Sequence, residues 1–185
     1  MKVLGIATSP RKGANSQTLV EHILAGAKEA GATTEIIRLG TLDIQPCTGC
    51  NTCKTGDGCV IEDDMAMLIK KMEAADAVVL GSPVYWSRLN AQAYPFIDRL
   101  YAIIKPDFTS DFPKGKKIAV ALTCGGMEPE ALKPINDYVK FVFGFLGFVD
   151  GGFVCQNHCL KPEDLAGFPD TIAQAKELGR ALGKK

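Results

Sequence analysis

Short apolar runs that alternate with helix-length amphipathic segments restrict the fold of this chain more than any other feature. Val3–Ala7 and Ala77–Gly81 contain only apolar residues and are followed by turn-forming residues. Such runs are typical of strands that are buried on both faces. Further strands are predicted at Thr34–Leu39, Lys117–Leu122 and Val149–Cys155. Because helix-length segments separate the strands, the pattern predicts βαβ units with right-handed crossovers and a parallel sheet.

Helical periodicity fills the intervals between these strands. Helices are predicted from Ser16, after the acidic run Glu62–Asp64, and over Ala91–Ile104, Pro129–Leu146 and Thr171–Leu182. Pro95 is expected to kink one of them or to confine its regular part to the residues that follow. With 185 residues, 46% of them hydrophobic, the chain can bury one core, and a single domain over 1–185 is predicted. Five strand-helix units fit a doubly wound, flavodoxin-like α/β sheet of order 2-1-3-4-5 with helices on both faces.

Charge balance and the N-terminal residues narrow the classes of partner and compartment. The chain has 21 basic and 21 acidic residues, so no cationic surplus favours a nucleic-acid backbone or an anionic membrane. The N-terminus enters a strand-like segment without the apolar core of a secretory signal, and no later segment is long enough to span a bilayer. We therefore expect a cytoplasmic protein whose seven cysteines bind metal or do redox chemistry more readily than they form structural disulfides.

The loop Thr8–Thr18, between the first strand and the first helix, has the composition of a phosphate site. In an open parallel sheet, ligands bind beyond the carboxyl ends of the strands, where the strand order reverses. Hydroxyls, amides and cations here lead into a helix N-terminus, whose free N–H groups favour an anion. The loop lacks the glycines of dinucleotide-binding and P-loop motifs, so one terminal phosphate fits better. Arg11 can add a bidentate contact, and helix capping by Asn15 or Ser16 is the alternative.

Two further loops are predicted at the same edge of the sheet. The third strand ends in Ser82-Pro83-Val84-Tyr85-Trp86, which places two aromatic side chains where a flat heteroaromatic ring would lie. The fourth strand ends in Thr123-Cys124-Gly125-Gly126, where paired glycines permit close approach of the backbone to a ligand. Each segment alone could be a packed corner or a turn. Together with the first loop, they can bind a phosphate and both sides of a ring.

Several motifs occur in order along the chain: Thr8–Gly13, Asp63-Asp64-Met65, Ala75-Asp76, Ser82–Tyr85, Asp98-Arg99 and Gly125-Gly126. Together they resemble the NAD(P)H-dependent FMN reductase branch of the flavodoxin-like proteins, over about residues 2–126. The resemblance implies a flavin-dependent oxidoreductase that binds FMN. It implies that the FMN phosphate is held by Ser9, Arg11, Asn15, Ser16, Gln17 and Thr18. It also places the isoalloxazine ring against Pro83, Val84, Tyr85 and Trp86 and against Thr123, Cys124, Gly125 and Gly126.

A polar insert loop at 41–60 holds four of the cysteines in the form C-x2-C-x2-C-x5-C: Cys47, Cys50, Cys53 and Cys59. Three thiolates at three-residue spacing can surround a compact centre, as in ferredoxin-type cluster loops, and glycines provide the turns. Zinc is disfavoured, because its two C-x2-C pairs are usually separated by a longer spacer. In a flavodoxin-like chain, this motif resembles the iron-sulfur flavoproteins. That resemblance implies a [4Fe-4S] cluster that passes electrons to FMN.

Two alternatives to an iron-sulfur flavoprotein remain open at this point. Similar cysteine loops occur in flavodoxin-like reductases without an established cluster. By that likeness the chain would be a cluster-free NAD(P)H-dependent FMN or quinone reductase with thiols or a redox disulfide. The fold alone also permits a non-catalytic nucleotide- or metal-binding regulatory domain. The resemblance further implies a homodimer or homotetramer, in which the cysteine loop of one subunit can approach the flavin of another. A nicotinamide nucleotide or a redox protein such as ferredoxin is the expected partner.

Three smaller patterns lead to further expectations. The acidic run Glu62–Asp64 is expected to cap the helix that follows it rather than to bind metal. Cys155, His158 and Cys159 are expected in a core and turn region, because a fourth ligand is lacking nearby. The run Phe141–Phe148 is apolar nearly all round, which places it in the core or in a subunit interface.

Overall fold

A computed structural model describes residues 1–56 and 58–184. Its strands are β1 (Lys2–Ala7), β2 (Thr33–Arg38), β3 (Ala77–Tyr85), β4 (Arg88–Leu89), β5 (Lys117–Thr123) and β6 (Val149–Gln156). Its α-helices are α1 (Asn15–Glu29), α2 (Met65–Ala74), α3 (Ala93–Arg99), α4 (Lys133–Phe145) and α5 (Pro169–Gly183). Short 3-10 turns lie at Leu39–Thr41, Thr52–Lys54, Leu100–Ile103, Pro129–Leu132 and Asp164–Gly167. Asp57, within the predicted insert loop, and Lys185 lie outside the described residues.

The five longer strands form one parallel sheet in the order β2-β1-β3-β5-β6. This is the predicted 2-1-3-4-5 order, with the short strand β4 added antiparallel to the end of β3. In the central strands, Leu4 lies beside Val78 and Val78 beside Ile118, and all three side chains are buried. A strand covered on both faces needs apolar side chains at successive positions, which explains the continuous apolar runs. The flavodoxin-like α/β prediction is confirmed.

Helices cover both faces of the sheet and enclose two apolar cores. One core lies under α1 and α5, and the other lies under α2, α3 and α4. Gly81, near the end of β3, allows α1 to approach closely, because a Cβ there would lie 2.2 Å from Val20 Cγ2 and 3.0 Å from the Ser16 carbonyl oxygen. This close approach brings the N-terminus of α1 to the carboxyl ends of the central strands.

The third strand is longer than predicted and ends in a hairpin. Ser82 and Pro83 continue β3, because they keep their register beside Leu122 and Thr123 of β5. Trp86-Ser87 then forms a two-residue turn with φ of 52° and 57°, and β4 returns antiparallel. Such turns need a positive φ at both positions and are usually signalled by Asn-Gly, which is absent here. The predicted aromatic loop is therefore a strand end followed by a hairpin tip.

Two predicted helices begin later than expected, and both have a proline in their first turn. Pro95 is the third residue of α3, where its missing N–H would have no helical partner. Pro95 was predicted either to kink the helix or to confine its regular part to the residues that follow. The structure is nearer to the second of these, since α3 begins only two residues before Pro95. The segment predicted as one helix over 129–146 divides into the turn Pro129–Leu132 and α4, with Pro134 in the first turn of α4.

The apolar run Phe141–Phe148 divides between core and surface. Phe143 is fully buried and Phe148 is nearly so, whereas Phe141 and Phe145 are 66% and 43% exposed. Helix α4 therefore buries one apolar face and leaves a second apolar face uncovered. In the described part of the chain, no helix has both the length and the apolar character needed to cross a membrane.

Candidate functional site

A cavity of about 280 Å³ opens at the carboxyl ends of β1, β3 and β5, and we call it the sheet-edge cavity. It lies where the strand order reverses, as expected for a ligand site in this fold. The predicted cofactor residues that line it are Ser9, Arg11, Asn15, Ser16, Pro83, Val84, Tyr85, Thr123, Cys124 and Gly125. Gln17, Thr18, Trp86 and Gly126 are not among its lining residues. The three loops singled out in the sequence meet at this one site.

One end of the sheet-edge cavity presents unpaired donors at the N-terminus of α1. Ser16 Oγ is buried and has no hydrogen-bond partner among the described residues. The N-cap residue is Ala14, without a side-chain cap, so the alternative in which Asn15 or Ser16 caps this helix does not hold. Arg11 is exposed beside them, and its N–H donates to Ser9 Oγ at 3.2 Å. An orphaned hydroxyl, an uncapped helix N-terminus and an arginine fit the phosphate of FMN.

The remaining polar residues of the first loop are engaged with the protein itself. Gln17 Oε1 accepts a hydrogen bond from Gly13 N–H at 3.2 Å, and its Nε2 donates to Glu21 at 2.8 Å. The Thr18 N–H donates to the Ala14 carbonyl at 2.9 Å, and Thr18 lines a separate groove. Gln17 therefore shapes the loop, and Thr18 lines that groove rather than the sheet-edge cavity.

A fourth wall of the sheet-edge cavity comes from Cys159–Pro162, which follows β6 and was not predicted from the sequence. Asn15 holds this segment in place, since its Nδ2 donates to the Lys161 carbonyl at 2.6 Å and its Oδ1 accepts from Leu165 N–H at 3.0 Å. The Cys159 N–H also donates to the Cys124 carbonyl at 2.9 Å. Only the position of this segment, after a strand that ends at the same edge, could have indicated it.

A buried hydrogen-bond network joins the loop after β1 to the end of β3. Asn90 Nδ2 donates to the Thr8 carbonyl at 2.8 Å, and Ser82 Oγ donates to Asn90 Oδ1 at 2.9 Å. The Thr8 hydroxyl donates to the same Asn90 oxygen. All three side chains are at most 1% exposed. The sequence analysis missed Asn90, because only the β3–β4 hairpin brings it back beside the strand ends.

The walls that a planar ring would face come from the ends of β3 and β5. Tyr85 is 44% exposed at the cavity mouth, whereas Trp86 is 93% exposed at the hairpin tip. At Gly125, a Cβ would lie only 2.7 Å from Leu160 Cδ2, so a glycine lets the segment Cys159–Pro162 approach the end of β5 closely. The cavity therefore has apolar walls beside its polar phosphate end, as a flavin requires.

A second, smaller cavity of about 50 Å³ gathers all four cysteines of the insert loop, and we call it the cysteine cavity. Gly49 and Asn51 have φ of 68° and 60°, and these left-handed positions turn the chain around it. Its other wall includes Arg99 and Tyr101. Within 1–56 and 58–184, no three Cys, His, Asp or Glu side chains are arranged to hold a metal ion as they stand. Four cysteine thiols are the donor set that an iron-sulfur cluster needs, but in this structure the thiols are farther apart than a bound metal would hold them.

A buried ion pair closes the base of the insert loop. The Asp63 and Arg99 side chains are 0% and 2% exposed, with 2.6 Å between Oδ2 and Nη1. Asp63 also accepts hydrogen bonds from Gln45 N–H at 2.9 Å and Met65 N–H at 3.0 Å, and Arg99 Nη1 donates to the Gln45 carbonyl at 2.9 Å. Asp64, the N-cap residue of α2, makes no side-chain cap, so of the expected capping only the bond from Met65 N–H to Asp63 is present. The larger role of Asp63 is to join both ends of the loop to α3.

The pKa values of this pair show that both charges are stabilised in the fold. Burial raises the pKa of Asp63, but the hydrogen bonds from Arg99 and from Gln45 N–H and Met65 N–H outweigh it, and the net pKa is lowered. Burial lowers the pKa of Arg99, but Asp63 and the nearby Cys59 sulfur outweigh it, and the net pKa is raised. The ion pair is therefore charged on both sides at neutral pH.

All seven cysteines are free, and the pKa of one thiol in the insert loop differs in direction from the pKa of three thiols outside it. Hydrogen bonds, chiefly from Thr52, lower the pKa of the exposed Cys50 thiol. Burial raises the pKa of Cys124, raises that of Cys155 to about 11 and raises that of Cys159 to about 12. Thiolates are the form that binds metal and reacts as a nucleophile. The exposed cysteines of the insert loop are therefore the more accessible group, and the packing role expected for the half-buried Cys155 and Cys159 stays a prediction.

Comparison with known proteins identifies the family of the chain. Residues 1–158 match the NADPH-dependent FMN reductase family. An iron-sulfur flavoprotein of Methanosarcina thermophila is 32% identical over 181 residues, which cover 96% of this chain and 93% of that protein. An FMN-dependent NADH:quinone oxidoreductase of Ralstonia nicotianae is 37% identical over 123 residues, which cover 62% of this chain and 56% of that protein.

A solved structure extends the likeness to the fold. An NAD(P)H:quinone oxidoreductase from Methanothermobacter marburgensis is 19% identical and matches with a TM-score of 0.77, over 100% of this chain and 98% of that one. The family match spans β1 to β6, and its cofactor is the one that the sheet-edge cavity fits. The chain therefore belongs to the NADPH-dependent FMN reductase family of flavin-dependent oxidoreductases.

Proposed function

We propose that this protein passes electrons between a [4Fe-4S] cluster in the cysteine cavity and FMN in the sheet-edge cavity. The observation that carries the proposal is that all four cysteines of one loop line a single cavity, in a chain of an FMN reductase family. The relative from Methanosarcina thermophila, matched over nearly its whole length, is named an iron-sulfur flavoprotein. The free thiols of the loop also suit a reducing compartment such as the cytoplasm.

The proposed phosphate site uses side chains and the backbone of α1. Ser16 Oγ and Ser9 Oγ would donate to phosphate oxygens, and Arg11 would add charge from the rim. The N–H groups of Asn15, Ser16 and Gln17 belong to the first turn, where no helical carbonyl can accept from them. The Thr18 N–H is already bonded within the helix, so Thr18 is left out of the proposed set.

The proposed ring site lies between the ends of β3 and β5. Pro83, Val84 and Tyr85 would contact one side of the ring, and Thr123, Cys124 and Gly125 would contact another. When bound, FMN supplies the one-electron and two-electron chemistry. The chain itself orients the ring and keeps neutral groups beside it, since burial holds the Cys124 thiol in its protonated form. Trp86 and Gly126 remain at the margin, where a second subunit or a nicotinamide could contact them.

We further propose that the functional protein is a homo-oligomer. An apolar groove of about 520 Å³ lies between α3 and α4 and includes Cys47 and Gly49 at its end. Phe108 and Phe141 in this groove are 69% and 66% exposed, which is unusual for side chains of this size. A second copy of the chain on this groove would bury them and bring its own flavin site near the cysteine cavity. NAD(P)H or a redox protein such as ferredoxin would then exchange electrons with the assembly.

The second candidate is a cluster-free NAD(P)H-dependent quinone or FMN reductase. It is favoured by the relative from Ralstonia nicotianae, which is named an FMN-dependent NADH:quinone oxidoreductase. The open arrangement of the four thiols also favours it. In that case the insert loop would act through its thiols, and the sheet-edge cavity would keep the same role.

The test is the visible spectrum of the chain purified without oxygen, with FMN, iron and acid-labile sulfide assayed on the same sample. We expect flavin bands on a broad brown absorbance, with about four irons per chain. Flavin bands without iron or sulfide, even after anaerobic reconstitution of the protein with both, would contradict the cluster and support the cluster-free reductase. A colourless protein that does not take up added FMN would contradict the flavoprotein itself and favour a regulatory domain.

A further inference from the structure

Arg99 is the one cation among the described residues that line the cysteine cavity, and its hydrogen bonds leave one donor unused. Its Nη1 donates to Asp63 Oδ2 at 2.6 Å and to the Gln45 carbonyl at 2.9 Å. Its Nη2 donates to Asp63 Oδ1 at 3.1 Å and to the Ile61 carbonyl at 3.4 Å. Its Nε is buried and has no partner among the described residues. A buried N–H without an acceptor is costly, so an acceptor is expected in the functional state.

The cavity offers Arg99 four cysteine sulfurs as acceptors, and Asp98 is the one carboxylate residue among the described residues that line it. Arg99 lines this cavity together with Cys59 and the other three cysteines of the insert loop. Asp63, by contrast, holds the guanidinium from behind and does not line the cavity. The ion pair therefore presents its positive partner to the four cysteines and keeps its negative partner away from them.

We propose that Arg99 makes the cluster easier to reduce, by donating its Nε–H to sulfur at the Cys59 position and by placing a fixed positive charge beside it. This inference rests on the proposed function. Reduction adds one electron to the cluster, supplied by the nicotinamide or redox protein, while Arg99 keeps its charge. A cation that is held rigidly in a poorly solvated site stabilises the added negative charge, and hydrogen bonds to sulfur are known to raise cluster potentials.

Lys54 provides a matched control on the same loop. Its Nζ donates to the carbonyl oxygens of Tyr101 and Ile104 and lies 3.5 Å from the centroid of the Tyr101 ring. It therefore docks the loop against the turn Leu100–Ile103, as Arg99 docks the base of the loop. Lys54 does not line the cysteine cavity, so its removal takes away a charge and an anchor without removing a donor to sulfur.

The experiment is a redox titration, followed by electron paramagnetic resonance, of anaerobically purified wild-type, Arg99→Gln and Lys54→Met proteins. At a fixed potential, we expect Arg99→Gln to lower the ratio of reduced to oxidised cluster about tenfold, a shift of about 59 mV for one electron. Lys54→Met should change that ratio by less than about twofold, because the Lys54 ammonium is held by two carbonyl oxygens outside the cysteine cavity and donates to no sulfur. The FMN potential should be unchanged in both variants.

A second variant covers the case in which Arg99→Gln does not fold, since it leaves Asp63 buried and unpaired. In Asp63→Asn/Arg99→Gln, two amides replace the ion pair, and the same tenfold fall is expected because Arg99 is the nearer charge. A wild-type protein without iron would overturn this inference together with the proposed function. A cluster-loaded Arg99→Gln or double variant with the wild-type potential would overturn the role of Arg99 alone. An equal shift in Lys54→Met would also overturn it.

Discussion

The sheet-edge cavity and the cysteine cavity are built by different means. The first is bounded by segments that follow four parallel strands, and buried hydrogen bonds through Asn90 and Asn15 join those segments. The second is bounded mainly by one irregular loop, which a single buried ion pair closes at its base. The first is thus a property of the fold, whereas the second is an addition to it that depends on a few residues.

The cysteines follow the same division. Cys124 and Cys159 line the sheet-edge cavity, the first buried and the second half-buried, and desolvation raises the pKa of both thiols, which favours the protonated form. In the cysteine cavity, Cys47, Cys50 and Cys59 are exposed and Cys53 is half-buried. Because Cys53, Cys155 and Cys159 are all half-buried, exposure alone does not separate the two groups. The candidate ligands are set apart by their shared cavity, and the packing cysteines by their raised pKa.

The largest expected effect is on iron content. Cys53→Ala should reduce iron from about four per chain to less than one, because a cluster of this type needs all four thiolates. Cys155→Ala is the matched control, since Cys155 is also half-buried but lies outside both cavities. Iron and sulfide assays on anaerobically prepared proteins measure the difference. Equal iron in the two variants would remove the distinction between the two groups of cysteines.

The next effect is on stability, through the base of the insert loop. Asp63→Asn breaks a buried ion pair, so the free energy of unfolding in urea should fall by about 3–5 kcal/mol. Asp111→Asn breaks an exposed pair with Lys105 and should cost at most about 1 kcal/mol. If both substitutions lowered the free energy of unfolding by the same small amount, the insert loop would not depend on the Asp63–Arg99 ion pair.

The same ion pair predicts a pH dependence of stability. The pKa of Asp63 is lowered below its ordinary value of 3.8 in the folded protein. Its contribution is therefore fully present above that ordinary value and is lost as the pH falls through the folded pKa. Urea unfolding between pH 5 and pH 2.5 should show a stability difference between wild type and Asp63→Asn that narrows with acid. A constant difference over this range would contradict the lowered pKa.

A smaller effect is expected in the sheet-edge cavity. Ser16→Ala removes one hydrogen bond to a charged phosphate, worth about 1.5–3 kcal/mol, so FMN should bind roughly 10- to 100-fold more weakly in a fluorescence titration. Thr18→Ala, two residues along the same helix but outside the cavity, should change the affinity less than about threefold. Without FMN, Ser16→Ala should be as stable as wild type or more so, because the hydroxyl has no partner.

The comparison also explains how much of the molecule could be predicted. The strand order, the three loops and the cysteine spacing depend on local pattern and on the general geometry of parallel sheets. Asn90 and the segment Cys159–Pro162 depend on contacts between residues far apart in the chain, and Trp86-Ser87 turns without the usual Asn-Gly signal. The Asp63–Arg99 motifs were visible in the sequence, but their pairing at the base of the insert loop was not.

The most direct test of the account is differential thiol labelling with maleimide at pH 8, read by peptide mass spectrometry before and after iron chelation under anaerobic conditions. The account predicts that Cys47, Cys50, Cys53 and Cys59 are protected in the iron-loaded protein and become labelled after chelation. Cys155 and Cys159, with pKa of about 11 and about 12, should remain unlabelled until the protein is denatured. Insert-loop cysteines that label equally before and after chelation, or Cys155 and Cys159 that label first, would contradict it.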